Sequence, residues 1–174
     1  MAASGVSRVA IRCEEAKTSG ILNLHSCELV SVPAAVYFLV KDSEILQCSL
    51  AFNRLKSFPK QLPAKLPLLK VLSLRGNSLT EIPEEVNQLE KLDAIDLSEN
   101  SLATIQLSYF VNLKSLRILN LAYNKIEEFD TAQAVQLFPK LSKLILSGNP
   151  LTEVAIKDSL QYPCVIFEKN EAHP

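Results

Sequence analysis

The sequence has no tryptophan, a single methionine and only two histidines, His25 and His173. It also has no G-x-S-x-G, H-E-x-x-H or P-loop stretch, so the common arrangements for acyl transfer, zinc-assisted hydrolysis and nucleotide binding lack an anchor. Four cysteines, Cys13, Cys27, Cys48 and Cys164, are scattered without a C-x-x-C pair, which argues against a zinc site of ordinary spacing. There is no N-x-[ST] sequon, and residues 1–10 lack a basic segment followed by an apolar run. Together these absences predict a reducing, intracellular home, with the cytoplasm expected. The longest apolar run, around residues 36–40, stops at Lys41 and Asp42. It falls far short of the roughly 18–20 residues of a membrane span. A net charge of −1 supplies no bulk attraction to nucleic acid or to an anionic membrane.

What is present is leucine, at regular intervals. The chain has 174 residues, 48% of them hydrophobic, which suits one domain with a sizeable core. Six segments align: SGILNLHSCELVSV from 19, ILQCSLAFNRLKSF from 45, LKVLSLRGNSLTEI from 69, LDAIDLSENSLATI from 92, LRILNLAYNKIEEF from 116 and LSKLILSGNPLTEV from 141. Their starts are 26, 24, 23, 24 and 25 residues apart. The common template is L-x-x-L-x-L-x-x-N-x-L-x-x-Φ, with Φ apolar. Position six is leucine in all six segments: Leu24, Leu50, Leu74, Leu97, Leu121 and Leu146. Position nine reads Cys27, Asn53, Asn77, Asn100, Asn124 and Asn149. Six segments in register over most of the chain are the signature of a repeat architecture.

On these motifs the chain resembles the leucine-rich-repeat superfamily, and the Val32-Pro33, Phe58-Pro59 and Ile82-Pro83 steps resemble its intracellular subclass. The resemblance implies an α/β fold: a right-handed leucine-rich-repeat solenoid with a curved parallel sheet on the concave side and short helices and extended segments on the convex side. It also implies a protein-binding role as adaptor or scaffold. The alternative it leaves open is a non-catalytic regulatory subunit of an enzyme, such as a phosphatase or a small-GTPase pathway component.

In L-x-x-L-x-L, apolar and polar positions alternate as in a strand with one buried face. One such strand is unstable alone, and stacking six buries a continuous leucine column. The asparagine at position nine has both donor and acceptor groups for the buried backbone of the turn that follows, so its copies are expected to form a ladder. The domain reading is an N-terminal capping helix in 1–18, six repeats in 19–154 and a C-terminal cap and tail in 155–174. Val6, Val9, Ala10 and Cys13 fall on one helical stripe of that cap, and residues 164–167 are expected to add a last strand. Residues 33–40 and 83–89 read as short helices with proline in the first turn, and residues 130–138 open with a D-x-x-Q capping box. Pro59, Pro63 and Pro67 are expected to keep the second return segment extended.

Function is expected on the outward columns of the strands. Their larger members are Phe52, Arg75, Asp96, Glu99 and Tyr123, with His25 at the rim and Ile21, Val71 and Ile118 as apolar ground. Aromatics and arginine anchor protein interfaces because they bury much area at low entropy cost. Two plainer readings stand beside this one: Arg75 with Glu99 as a surface ion pair, and Phe52 and Tyr123 as covers over neighbouring rungs. Lys70, Asp93 and Arg117, on consecutive strands, are expected to form a cross-strand ion ladder. The local group Asp93, Asp96 and Glu99 does not read as a calcium loop. No catalytic residue, metal or cofactor is assigned. The expected partner is a protein of unspecified identity, with no nucleic acid and no membrane span, bound by a monomer.

Overall fold

The computed structural model describes residues 2–167, with side chains from residue 7 onward. Seven parallel strands form one open sheet in strict sequence order. They are β1 (Ile21–Asn23), β2 (Gln47–Ser49), β3 (Val71–Ser73), β4 (Ala94–Asp96), β5 (Ile118–Asn120), β6 (Lys143–Ile145) and β7 (Val165–Ile166). The sheet lines the concave side of a leucine-rich-repeat solenoid. The register follows the template: Leu22, Cys48, Leu72, Ile95, Leu119 and Leu144 are successive Cα partners. Each is buried, as are all six leucines of position six. At about 25 cal/mol per Å² of apolar surface, this double column supplies the main driving force that a three-residue strand lacks alone. The two-residue β7 extends the stack as expected, pairing Val165 and Ile166 with Leu144 and Ile145.

The return segments are built from whatever their local sequence permits. Helix α2 (Ala34–Leu39) starts after Pro33. The stretch after Pro83 closes as a 3₁₀ turn, Glu84–Gln88, and a second 3₁₀ turn spans Leu107–Phe110. Five residues suffice for i→i+3 bonds but barely for an α-helix. The second return corrects the sequence reading. It contains a one-turn helix, α3 (Leu62–Lys65), with proline in its first turn. Proline there loses only an N–H that had no partner in any case. Helix α4 (Thr131–Leu137) is capped by Asp130, whose carboxylate accepts from the Gln133 N–H at 2.8 Å. Helix α5 (Glu153–Ser159) is capped likewise by Thr152. Phe110 and Phe138 meet edge to face, 6.3 Å apart, closing the core behind the fourth and fifth repeats.

Helix α1 (Ala2–Ser19) packs against β1 and α2 at the N-terminal end of the stack. Among its described side chains Cys13 and Ala16 are buried, with Val9 partly buried against the same core. Ala10 is exposed, so the buried stripe runs one turn further than the sequence pattern placed it, and Val6 lies outside the described side chains.

Candidate functional site

The asparagine ladder is present in full. In Asn100 the amide nitrogen donates to the carbonyls of Leu74, Leu97 and Ser98 at 3.0, 3.0 and 3.1 Å, while its oxygen accepts from the Leu79 N–H at 3.0 Å. Asn53, Asn77, Asn124 and Asn149 each reach back to the previous repeat in the same way. Cys27 has no amide to offer, and α1 supplies the missing donors. The Arg12 guanidinium donates to the His25 carbonyl and the Cys27 sulfur, and Arg8 donates to the Ser26 carbonyl at 3.5 Å. Sequence reading did not assign these arginines. Their i, i+4 spacing was the available signal, but nothing local says which turn they face.

Position eight behaves differently from a strand position. Its residues Ser26, Phe52, Gly76, Glu99, Tyr123 and Gly148 all have positive φ, between 52° and 69°. At Ser26, Phe52, Gly76, Glu99 and Tyr123 the position-eight N–H donates to the position-seven carbonyl of the next repeat, as Phe52 does to Arg75 at 2.7 Å and Tyr123 to Ser147 at 2.8 Å. The left-handed turn at this position re-aims the chain into the position-nine residue, and side chains other than glycine adopt it at a cost of about 1 kcal/mol.

This turn sets the two aromatic rings. Phe52 lies over Gly76 and Tyr123 over Gly148, each ring filling the space a Cβ would take. They cover the neighbouring rung, yet remain 43% and 49% exposed. Around Phe52 the structure gathers four of the predicted residues. His25 meets the ring edge-on at 5.3 Å, and the Arg75 guanidinium sits over it at 5.4 Å. Arg75 in turn donates to Glu99 through Nε at 3.0 Å and Nη2 at 2.5 Å. His25, Phe52, Arg75 and Glu99 thus form a continuous chain across the first four repeats. Tyr123 stands one repeat beyond it. Asp96 is turned to local use: its carboxylate accepts from the Ser98 N–H at 3.0 Å and hydroxyl at 2.6 Å.

The expected ladder of Lys70, Asp93 and Arg117 does not form; no pair among them comes within 4.0 Å. Lys70 and Arg117 are exposed and Asp93 is half-buried, and long side chains in water gain too little from pairing to give up their freedom. Ile21 and Val71 are exposed and Ile118 is half-buried, as apolar ground requires. Burial pushes the Cys48 thiol up to about 12 and also raises Cys13 and the Tyr37 phenol. Reactive cysteines are shifted the other way. Among the described residues there is no cluster of three metal-ligating side chains and no helix long and apolar enough to cross a membrane.

Comparison with known proteins gives the same architecture. The leucine-rich-repeat family profile matches residues 49–102 and 90–151. Osteomodulin of Bos taurus is 37% identical over 119 residues, 68% of this chain and 26% of its own length. Leucine-rich repeat-containing protein 20 of Homo sapiens is 37% identical over 93 residues, 51% of this chain and 50% of its own. The match therefore spans a quarter to a half of these relatives. A leucine-rich-repeat protein of Leptospira interrogans superposes with a TM-score of 0.71 at 29% identity, over 85% of this chain and 36% of that one. With the profile matched over more than half its length, this chain belongs to the leucine-rich-repeat family.

Proposed function

We propose that the chain is a non-catalytic interaction module that binds a protein partner through the outer face of its sheet. Domains of this family generally mediate protein–protein interaction. The observation that carries the finer reading is the His25–Phe52–Arg75–Glu99 chain, with Tyr123 beyond it: large side chains held in place before any partner arrives. Pre-ordering lowers the entropy that association would otherwise cost, and aromatic–arginine clusters are where interface energy concentrates. In this reading the chain acts as a monomer, without a cofactor, and the partner reads shape rather than bulk charge.

The test is capture from cytosol by the intact chain and by a Phe52→Ala/Arg75→Glu/Tyr123→Ala variant of unchanged circular dichroism. The reading expects a specific partner to be held by the first and lost by the second. A partner held equally by both overturns the assignment to this face.

A further inference from the structure

The outer sheet face has a spacing of its own. Position three reads Ile21, Gln47, Val71, Ala94, Ile118 and Lys143 along partnered Cα atoms. Branched apolar side chains therefore stand on the first, third and fifth rungs. Two parallel-strand spacings place them about 9.6 Å apart. Few regular backbones match that step. An extended strand repeats its facing side chains at about 6.6 Å, and two turns of α-helix advance about 10.8 Å. One turn of polyproline II advances about 9.3 Å, with three residues per turn, and the inward curvature of the face shortens the required step toward that value.

Three further observations agree. The Phe52 and Tyr123 rings stand exposed at the border of this face, and aromatic walls are what proline-rich segments dock against. Between the apolar column and the rings lie Ser49 and Ser73, half-buried; their hydroxyls form no hydrogen bond among the described residues. A polyproline II backbone makes no internal hydrogen bonds, so its carbonyls are free to accept from such hydroxyls. Last, the charges in the middle of the face are already engaged: Arg75 with Glu99 and Asp96 with Ser98. Lys70, Asp93 and Arg117 alternate in sign along the flank, so no field of one sign selects a charged ligand.

We infer that this face takes an uncharged, proline-rich segment of a partner protein in the polyproline II conformation, running across the strands. Every third residue sits over Ile21, Val71 and Ile118, and the prolines pack on Phe52 and Tyr123. This inference rests on the interaction-module reading above and specifies its ligand.

The experiment titrates the full chain, labelled for amide NMR, with three capped synthetic peptides: repeating Pro-Pro-Leu, repeating Pro-Leu, and an amphipathic heptad helix. The expected result is shifts at β1–β5 and at the Phe52 and Tyr123 turns with Pro-Pro-Leu alone, unchanged between low and high salt. A Val71→Asp variant and, independently, a Phe52→Ala variant each weaken it by roughly tenfold or more. Equal binding of Pro-Leu, preference for the helix, loss of binding in salt, or no binding overturns the inference. If no proline-rich peptide binds while the cytosolic partner is still lost in the triple variant, the ligand class is wrong and the interaction-module reading stands.

Discussion

Phe52 occupies the space in which a side chain on Gly76 would begin: a Cβ at Gly76 would lie 2.6 Å from Phe52 Cδ1. Gly76 also holds φ at +64°, so Gly76→Ala meets both left-handed strain and a clash. It is expected to destabilise the fold by about 1–3 kcal/mol in urea denaturation. Combining it with Phe52→Ala removes the clash and leaves the strain, so the double variant should recover part of the loss. Equal losses in Gly76→Ala with and without Phe52→Ala would show that the ring moves aside freely and that only the strain counts.

Asn100 is buried and serves three carbonyls and one N–H. Asn100→Ala leaves those groups without partners and is expected to cost about 2–4 kcal/mol. Cys27→Ala, at the rung where arginines carry the load, should cost under about 1 kcal/mol. Equal losses at both positions would refute the view that the ladder is shared between repeats.

The central leucines set a scale for comparison. Leu74 is fully buried, and Leu74→Ala should cost about 2–5 kcal/mol. Alanine at Lys70, Asp93 or Arg117, which do not pair, should stay within about 0.5 kcal/mol of the parent.

Alkaline pH should weaken the fold. The Cys48 thiol is raised from 9.0 to about 12 by burial. Above pH 9 the unfolded chain therefore releases a proton that the folded chain keeps. The stability from this group is complete below pH 9 and is lost as pH climbs toward 12. Tyr37, raised for the same reason, continues the decline above its ordinary value of 10.0. Denaturation midpoints across this range should fall, and Cys48→Ala should flatten the slope between pH 9 and 10. An unchanged slope would mean the thiol already titrates in the folded chain.

The capping role of α1 is open to a direct test. Removing residues 1–18 exposes the β1 edge, Leu22 and Leu24, and strips the turn carbonyls of Arg8 and Arg12. Aggregation is the expected outcome, read by light scattering. A soluble, cooperatively folding 19–174 chain would show that the sheet end needs no cover.

Strand register and the ladder were legible because they repeat: each rung restates the same alternation at positions three to six, so six weak signals reinforce one another. The return segments do not repeat, and there the sequence misled. Three prolines after Phe58 suggested an extended path, but Pro63 falls in the first turn of α3, where proline is harmless. Position eight was legible only as a column. Its left-handed turn accompanies hydrogen bonds between repeats, which are non-local, and Phe52, Glu99 and Tyr123 are not residues that announce positive φ. The meeting of His25, Phe52, Arg75 and Glu99 follows from that turn and from ring size. Arg8 and Arg12 went unseen because a helix pattern shows which face is apolar, not which loop its polar face will meet.

The strands run in strict sequence order, and each is bonded only to its immediate neighbours. Tension applied along the stack is thus carried by the rungs in series, with no long-range staple among the described residues to share it. Under pulling, the molecule should unravel rung by rung from an end in steps of about one repeat rather than rupture as a block. Under small loads it should act as a shallow spring, whose bending spreads a little into every rung and leaves each local turn intact.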